Sequence, residues 1–401
     1  MRYEKFYTRS DRADSIYQYI PFEVPLGCDG LTITMHYDDS LSTVDLGLFD
    51  PSGFRGWSGG ERDLIQIGNE EATPGYLPGQ IAQGTWFVAL GLHQVGPDGV
   101  GVEVTVEHGR PRFPVSEQLP PAANRPPRRT LHAPQGFRWM PADFHSHSTH
   151  SDGRLTLDQL ANLAASRGLE ILAITDHNTI SHHAHLPTVA KSAGINLLAG
   201  HEVTTASGHA NAFGKIEWTD FREASSRWLE DVSNRGGLLS INHPLATPCH
   251  WDREYPDGVP LMEMWHSSWD RFELSPIEYW REKGSPIPIG GSDFHRMGSD
   301  GLPGDPTTWV MVATEDNVVS EKEVMDALRN GRVAISASPK APVVYPMEED
   351  LIVQGGEGTI LLTPRGIRKN VDSELFRIKK ESGLYTLTNH SGEHLAIGYI
   401  Q

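Results

Sequence analysis

Seven prolines fall between residues 111 and 134, including the pairs Pro120-Pro121 and Pro126-Pro127. Each proline fixes its own backbone torsion and removes a donor, so such a stretch favours extended chain that neither helix nor sheet runs through. A linker is therefore expected at 111–137, with separately folded domains on either side. The chain length of 401 residues agrees, because it exceeds what one hydrophobic core ordinarily organises.

The two sides differ in periodicity. Before the linker, Leu31, Ile33 and Met35 alternate with Thr32, Thr34 and His36, and Val102, Val104 and Val106 alternate with Glu103, Thr105 and Glu107. Period two marks half-buried strands, and turn segments such as Asp50-Pro51-Ser52-Gly53 and Gly96-Pro97-Asp98-Gly99 separate them. An antiparallel β-sandwich over 1–110 is expected. After the linker, strand-like runs alternate with helical segments that carry readable ends: Thr156 with Gln159 and then Gly168, and Ser320 with Glu323 and then Gly331. That order predicts an α/β domain over 138–338 with a largely parallel sheet or barrel. From 339 to 401 helical period is lost, and Thr359 to Thr363 and Tyr385 to Thr388 read as strands of a small β extension, with the first domain as its candidate pairing partner.

Composition narrows the function. A formal charge of −18 gives no basic average surface for nucleic-acid backbones, so general nucleic-acid binding is not expected, although a local phosphate pocket is compatible with it. The start of the chain is polar and lacks an apolar h-region, and no apolar run of about 18 residues occurs, so a cytoplasmic protein without a membrane segment is the default. Cys28 and Cys249 match no CxxC pattern and receive no function.

The chemistry-bearing residues fall into short segments at the ends of apolar runs: Asp143-Phe144-His145-Ser146-His147 with His150 and Asp152; Asp176-His177-Asn178; Glu202 with His209; Asn242-His243-Pro244; and Gly291-Ser292-Asp293-Phe294-His295. Strand C-terminal ends in parallel α/β folds face one rim, so segments this far apart can meet there. Residues two apart on a strand point the same way, so His145 and His147 can reach one ion. Imidazole and carboxylate donors without thiolate suit Zn, Mn or Fe and do not choose between them. A carboxylate such as Glu202 has two oxygens and can bridge two cations. His182, His183 and His185 also read as a solvated loop, and His150 has no stronger claim to a substrate or metal role.

The succession His-x-His-x₄-Asp-Gly, Thr-Asp-His-Asn, a lone Glu, Asn-His-Pro and Gly-Ser-Asp-x-His resembles the polymerase and histidinol phosphatase superfamily over about residues 140 to 335. Its carbaryl-hydrolase-like branch is similar through Gly208 to Gly214, Glu263-Met264-Trp265 and Asp326 to Arg332, and through Gly56-Trp57-Ser58-Gly59 and Ala72 to Gly79 in the front domain. The resemblance implies a distorted seven-stranded β/α barrel preceded by the sandwich. It also implies a trinuclear site of two to three divalent ions: His145, His147, Glu202 and Asp293 for the first ion, Glu202, His209 and His243 for the second, and Asp152, His177 and His295 for the third. Glu202 would then act with a hydroxide bridging the first two ions. Asp176 would orient His177, with a helix N-cap as its alternative role. His266 stands where the family pattern suggests asparagine. Together with Arg154 and Arg296, it is a candidate substrate contact.

Three functions fit these residues: a phosphoesterase acting on a small phosphorylated molecule, a carbamate, ester or amide hydrolase with the same ions, and a non-catalytic scaffold. The first is favoured by the resemblance. Oligomeric state is not readable from the sequence.

Overall fold

The computed structural model describes residues 1–113, 121–247, 249–266, 274–298, 301–313 and 318–401. Two compact units form: Met1–Gln118 with Thr149–Asp152 and Asp176–Ala184, and Leu119–Ser148 with Gly153–Thr175 and His185–Gln401. Residues 114–120 of the proline-rich stretch lie outside the described residues.

The first unit contains β1 (Arg2–Tyr7), α1 (Arg9–Asp14), β2 (Tyr17–Val24), β3 (Gly30–Tyr37), β4 (Thr43–Asp50), β5 (Gly53–Trp57), β6 (Leu64–Gly68), β7 (Gly84–Gln94) and β8 (Val100–His108). These strands make two four-stranded sheets, ordered β1-β8-β3-β6 and β2-β7-β4-β5, with antiparallel pairing throughout. The alternation sets the faces. Leu31, Ile33 and Met35 are fully buried and share one core with Leu46, Leu48, Val88 and Leu90 of the other sheet. Each such aliphatic side chain contributes about 1.5–3 kcal/mol on burial. At the β4–β5 turn, Asp50 Oδ1 accepts from Ser52 N at 2.7 Å and Gly53 N at 2.9 Å, the side-chain turn that the Asp-Pro-Ser-Gly segment predicts.

The second unit opens on the described remainder of the proline-rich segment. Residues 121–137 contain no helix or strand, yet they are fastened to the unit: Arg125 donates to the carbonyls of Gly194 and Leu169, and Arg129 to that of Ala341. The backbone that proline leaves without ladder bonds is thus anchored by arginine side chains.

There follow β9 (Arg138–Asp143), α2 (Leu157–Ser166), β10 (Ile171–Ile174), α3 (Leu186–Ala193), β11 (Asn196–Thr205), β12 (Gly208–Phe213), α4 (Ser225–Asn234), β13 (Leu238–Ile241), β14 (Leu261–His266), α5 (Leu274–Glu282), β15 (Ile287–Gly291), β16 (Thr307–Val312), α6 (Glu321–Arg329) and β17 (Val333–Ser336). The capping boxes stand where the sequence put them, Thr156 with Gln159 on α2 and Ser320 with Glu323 on α6. Leu160, Ala161 and Ala164 of α2 pack with Leu186 and Val189 of α3 over Leu172 and Ile174 of β10.

One sheet runs β15-β14-β13-β12-β11-β10-β9-β16-β17 and continues through β24 (His394–Ile400), β23 (Gly383–Thr388), β20 (Ile360–Leu362) and β21 (Arg368–Asn370). A separate three-stranded sheet joins β18 (Val343–Met347), β19 (Asp350–Gln354) and β22 (Leu375–Lys379). Two expectations change. The sheet is mixed, because β11 and β12 form an antiparallel hairpin closed by only Ala206 and Ser207, and β12 then pairs antiparallel with β13. The C-terminal extension pairs with the second unit, β24 lying antiparallel to β17. Buried Ala396 and Ile397 oppose buried Ser336 and Ile335, so the edge of β17 is covered by apolar chain.

Candidate metal centre

The strands β9, β10 and β11 are mutually parallel, as are β13, β14 and β15, and their C-terminal halves and ends carry the second unit's candidate ligands except His209, which stands at the start of the antiparallel β12. Backbone bonds stitch these ends together. His147 N donates to Phe294 O at 3.0 Å and Asp293 N to His145 O at 2.9 Å, so the His-x-His and Ser-Asp-x-His segments lie side by side. Thr175 N reaches Ser146 O, Glu202 N reaches Thr175 O, and Asn242 N reaches His209 O, each at 3.0–3.1 Å.

Glu202 is completely buried at the middle of the group. Its Oε1 lies 3.3 Å from His145 Nε2, 3.3 Å from His209 Nδ1 and 3.4 Å from His243 Nε2, while Oε2 lies 3.7 Å from His147 Nε2. Asn242 Nδ2 donates to Oε1 at 2.7 Å and fixes the carboxylate plane. Asp293 Oδ1 is 2.9 Å from His147 Nε2 and 3.1 Å from His145 Nε2, and its Oδ2 is 3.0 Å from His266 Nε2. Both His243, at φ 27°, and Asp293, at φ 52°, adopt left-handed backbone that non-glycine residues rarely take. Such strain persists where surrounding structure over-determines it, which here is the placement of two inward-facing side chains.

Donors about 2.0–2.2 Å from a common ion stand roughly 3–3.5 Å apart. The spacings around Glu202 and Asp293 mostly match that range. A second observation supports the fit: His145 Nε2 is buried with no hydrogen bond although two carboxylate oxygens stand within 3.3 Å of it. Its lone pair is therefore placed for a shared cation. His145, His147 and Asp293 form one group that can hold an ion, and His145, His243, Glu263 and His266 form another.

Glu263 and His266 extend the expected ligand set. Glu263 Oε1 is 3.1 Å from His145 Nδ1, and Oε2 accepts from His243 N at 2.8 Å. It thus accepts a hydrogen bond from His145 Nδ1–H and leaves Nε2 facing Glu202 and Asp293. The signal available in the sequence was Glu263 and His266 on one apolar run, Leu261 to His266, that ends as the other ligand-bearing runs do. His266 stood there as a substrate contact; the structure buries it against Asp293.

The remaining sites distribute as follows. His295 Nδ1 lies 2.7 Å from Asp293 O, and its ring stacks on His147 at 4.1 Å between centroids. Arg154 and Arg296 are exposed, and Arg154 N donates to His295 O at 2.8 Å. Asp152 and His177 belong to the first unit, where Asp152 Oδ2 is 3.6 Å from His177 Nε2. Asp176, also in the first unit, is buried; it accepts from Ser151 Oγ at 2.8 Å and sits 3.2 Å from His182 Nδ1. No helix starts at Asp176, which removes its N-cap alternative. His182 and His183 are buried, contrary to a solvated loop; His150 is buried as well, its Nδ1 2.7 Å from Ser181 Oγ.

Electrostatics favours positive charge in the second unit's group. Burial opposes a charge on His145, but Asp293, Glu202 and Glu263 overcome it and hold its pKa well above the ordinary 6.5. Burial likewise opposes charge on His243, yet Cys249, Glu202 and Asp293 raise its pKa. For Asp293 burial acts upward and the facing histidines, His145 first, pull its pKa well below 3.8. In metal-free protein the histidine shifts add stability that is fully present below about pH 6.5 and fades as pH rises through the raised values. Cation binding must displace these protons. Titrating metal-free protein with Zn²⁺ or Mn²⁺ at pH 7 is expected to release protons, read by calorimetry in buffers of different ionisation enthalpy, and the apparent affinity is expected to fall as pH is lowered. Metal uptake without proton release would contradict the arrangement.

Residues 143–257 match the PHP domain family. The chain carries a PHP domain. Among curated proteins it is similar to an uncharacterized protein of Methanocaldococcus jannaschii, at 27% identity over 143 residues, 32% of this chain and 84% of that protein. It is also similar to the 5'-3' exoribonuclease of Haemophilus influenzae, at 41% identity over 63 residues, 16% of this chain and 23% of the enzyme. The shared stretch is therefore less than a quarter of that enzyme's length. A solved structure from Bacteroides vulgatus, described as a two-domain protein containing a predicted PHP-like metal-dependent phosphoesterase, aligns with TM-score 0.43 and 18% identity, covering 68% of this chain and 98% of that one. In this chain the PHP match spans β10 to β13 and the segments bearing His145, His147, Glu202, His209 and His243. Asp293 and His295 lie beyond it.

Proposed function

We propose that the chain is a metal-dependent hydrolase, a phosphoesterase cleaving small phosphodiesters or phosphomonoesters. The observation that carries this reading is the pair of carboxylates, Glu202 completely buried and Asp293 half-buried, each with several imidazole nitrogens within 3.7 Å. The similarity over 63 residues to a relative named 5'-3' exoribonuclease supports phosphoester chemistry. We read 138–338 as the distorted seven-stranded barrel of the carbaryl-hydrolase-like branch, 1–110 as its sandwich, 111–137 as the linker and 339–401 as the β extension.

His145, His147 and Asp293 would hold one divalent ion, and His209 and His243 a second, with Glu202 between them. Ions bound there lower the pKa of water from about 15.7 toward 7 and neutralise charge developing on a phosphoryl oxygen. The protein's own contribution is orientation. Glu263 holds the His145 tautomer, Asn242 holds the Glu202 carboxylate, and the strained backbone at His243 and Asp293 aims their side chains inward. The nearly complete burial of His145, His147 and Glu202 lowers the local dielectric, which strengthens each of these interactions.

A carbamate, ester or amide carbonyl is open to the same attack, and a chain of net charge −18 is poorly suited to long nucleic acids. Purified protein loaded with Zn²⁺ or Mn²⁺ is expected to hydrolyse an aryl phosphodiester or monoester at least about tenfold faster, by kcat/KM, than a naphthyl carbamate or a short RNA. Turnover of the carbamate alone would replace the phosphoesterase reading, and inactivity across the whole panel would favour a binding scaffold.

A further inference from the structure

Two loops of the PHP segment, Thr149–Asp152 and Asp176–Ala184, belong to the same compact unit as the N-terminal β sheets. They carry Asp152 and His177. Hydrogen bonds from Arg62 and Gly75 tie them to residues before the linker.

The Arg62 guanidinium donates through Nη1 to Ser151 O at 3.2 Å and through Nη2 to Thr149 O, so one planar fork grips both carbonyls flanking His150. Gly75 holds the other loop: its N–H donates to Ser181 Oγ at 3.0 Å, and its carbonyl accepts from Thr179 Oγ1 at 2.8 Å. The two loops are then tied to each other. Ser151 Oγ donates to Asp176 Oδ1 at 2.8 Å, beside His177 in sequence, and His150 Nδ1 meets Ser181 Oγ at 2.7 Å. Space allows nothing larger than glycine at position 75, since a Cβ there would stand 2.9 Å from His150 O and 3.1 Å from Trp57 O, at φ +99°.

We propose that Arg62 is a positioning residue: with Gly75 it clasps the loops of Asp152 and His177 and fixes the 3.6 Å approach of those two side chains. The N-terminal β domain thereby gains a role in placing Asp152 and His177 without touching substrate. A rigid guanidinium suits this task because its donors are pre-oriented, whereas a lysine offers one ammonium that cannot span both carbonyls in the same way. That Asp152 and His177 act on a cation rests on the third ion that the family resemblance implies and on the hydrolase function proposed above; the clasp does not.

The test uses the full chain with Arg62→Ala, Arg62→Lys and, as an independent break, Gly75→Ala. Hydrogen exchange by mass spectrometry is expected to show at least about tenfold faster exchange in 149–152 and 176–184 for Arg62→Ala, with the β9, β11 and β13 strands unchanged. Elemental analysis is expected to show about one metal equivalent per chain lost, and kcat to fall about 10–100-fold with KM little altered, the range seen when residues supporting ligands are removed. Arg62→Lys is expected to recover only part of each loss. Unchanged exchange in both loops for Arg62→Ala and Gly75→Ala would overturn the clasp. Faster exchange with wild-type metal content and kcat would overturn its positioning role. If wild-type protein itself binds no metal and hydrolyses nothing, the proposed function fails, and the exchange data alone decide the clasp.

Discussion

Glu202→Gln is expected to reduce turnover by about a thousandfold or more and to lower the metal content of purified protein, while leaving the fold in place. The substitution keeps shape and volume but removes a full negative charge from a position whose Oε1 stands within 3.4 Å of His145, His209 and His243. Several kcal/mol of charge stabilisation depend on ions held at such a centre, and each 1.36 kcal/mol is a factor of ten in rate. The amide has one oxygen instead of two equivalent ones, so it cannot serve both neighbouring groups. Its NH₂ would either point at an imidazole nitrogen or displace the Asn242 bond at 2.7 Å. Far-ultraviolet circular dichroism is expected to match wild type, because the amide keeps the shape and volume of the side chain. Elemental analysis beside steady-state kinetics checks the rest, and a variant with full metal load and full turnover would take Glu202 out of the centre.

How much of this was visible beforehand follows the range of the interactions involved. Period-two strands, helix caps and the His-x-His, Asn-His-Pro and Ser-Asp-x-His segments are local, so the sequence shows them directly: Leu31, Ile33 and Met35 are buried, and Thr156 and Ser320 cap their helices. The β11–β12 hairpin is also local, a two-residue link between extended runs, but the glycines at 208 and 214 that bracket the second run mask its strand character. Other features depend on contacts between distant residues. Glu263 is one acid among many until β14 lies beside β15 and brings it to His145. Nothing in Asp176-His177 shows that this loop groups with Arg62 and Gly75, because the hydrogen bonds that place it span about a hundred residues. The β24–β17 pairing is of the same kind: an apolar edge strand advertises that it needs a partner and not which one.

Gly291→Ala should be among the most damaging single-methyl changes in the second unit. Gly291 ends β15, and a Cβ at that position would lie 2.2 Å from Glu263 Oε1 and 2.5 Å from His145 Cβ. Nothing nearby can yield cheaply. The Glu263 carboxylate is held between His145 Nδ1 and His243 N, and the His145 Cβ is fixed by a backbone whose carbonyl accepts from Asp293 N. If Glu263 turns away, His145 loses the partner that sets its tautomer and His243 N is left buried without an acceptor, at a cost of about 1–3 kcal/mol. If the strands separate instead, overpacking costs a similar 1–3 kcal/mol, and the bond joining the His-x-His and Ser-Asp-x-His segments lengthens. Either way the spacing between His145, Glu202 and Asp293 is lost. The expected result is a thermal midpoint lowered by several degrees together with metal content well below wild type. A Gly291→Ala protein with wild-type midpoint and metal load would mean that the close approach of β15 to His145 does not set the geometry of the centre.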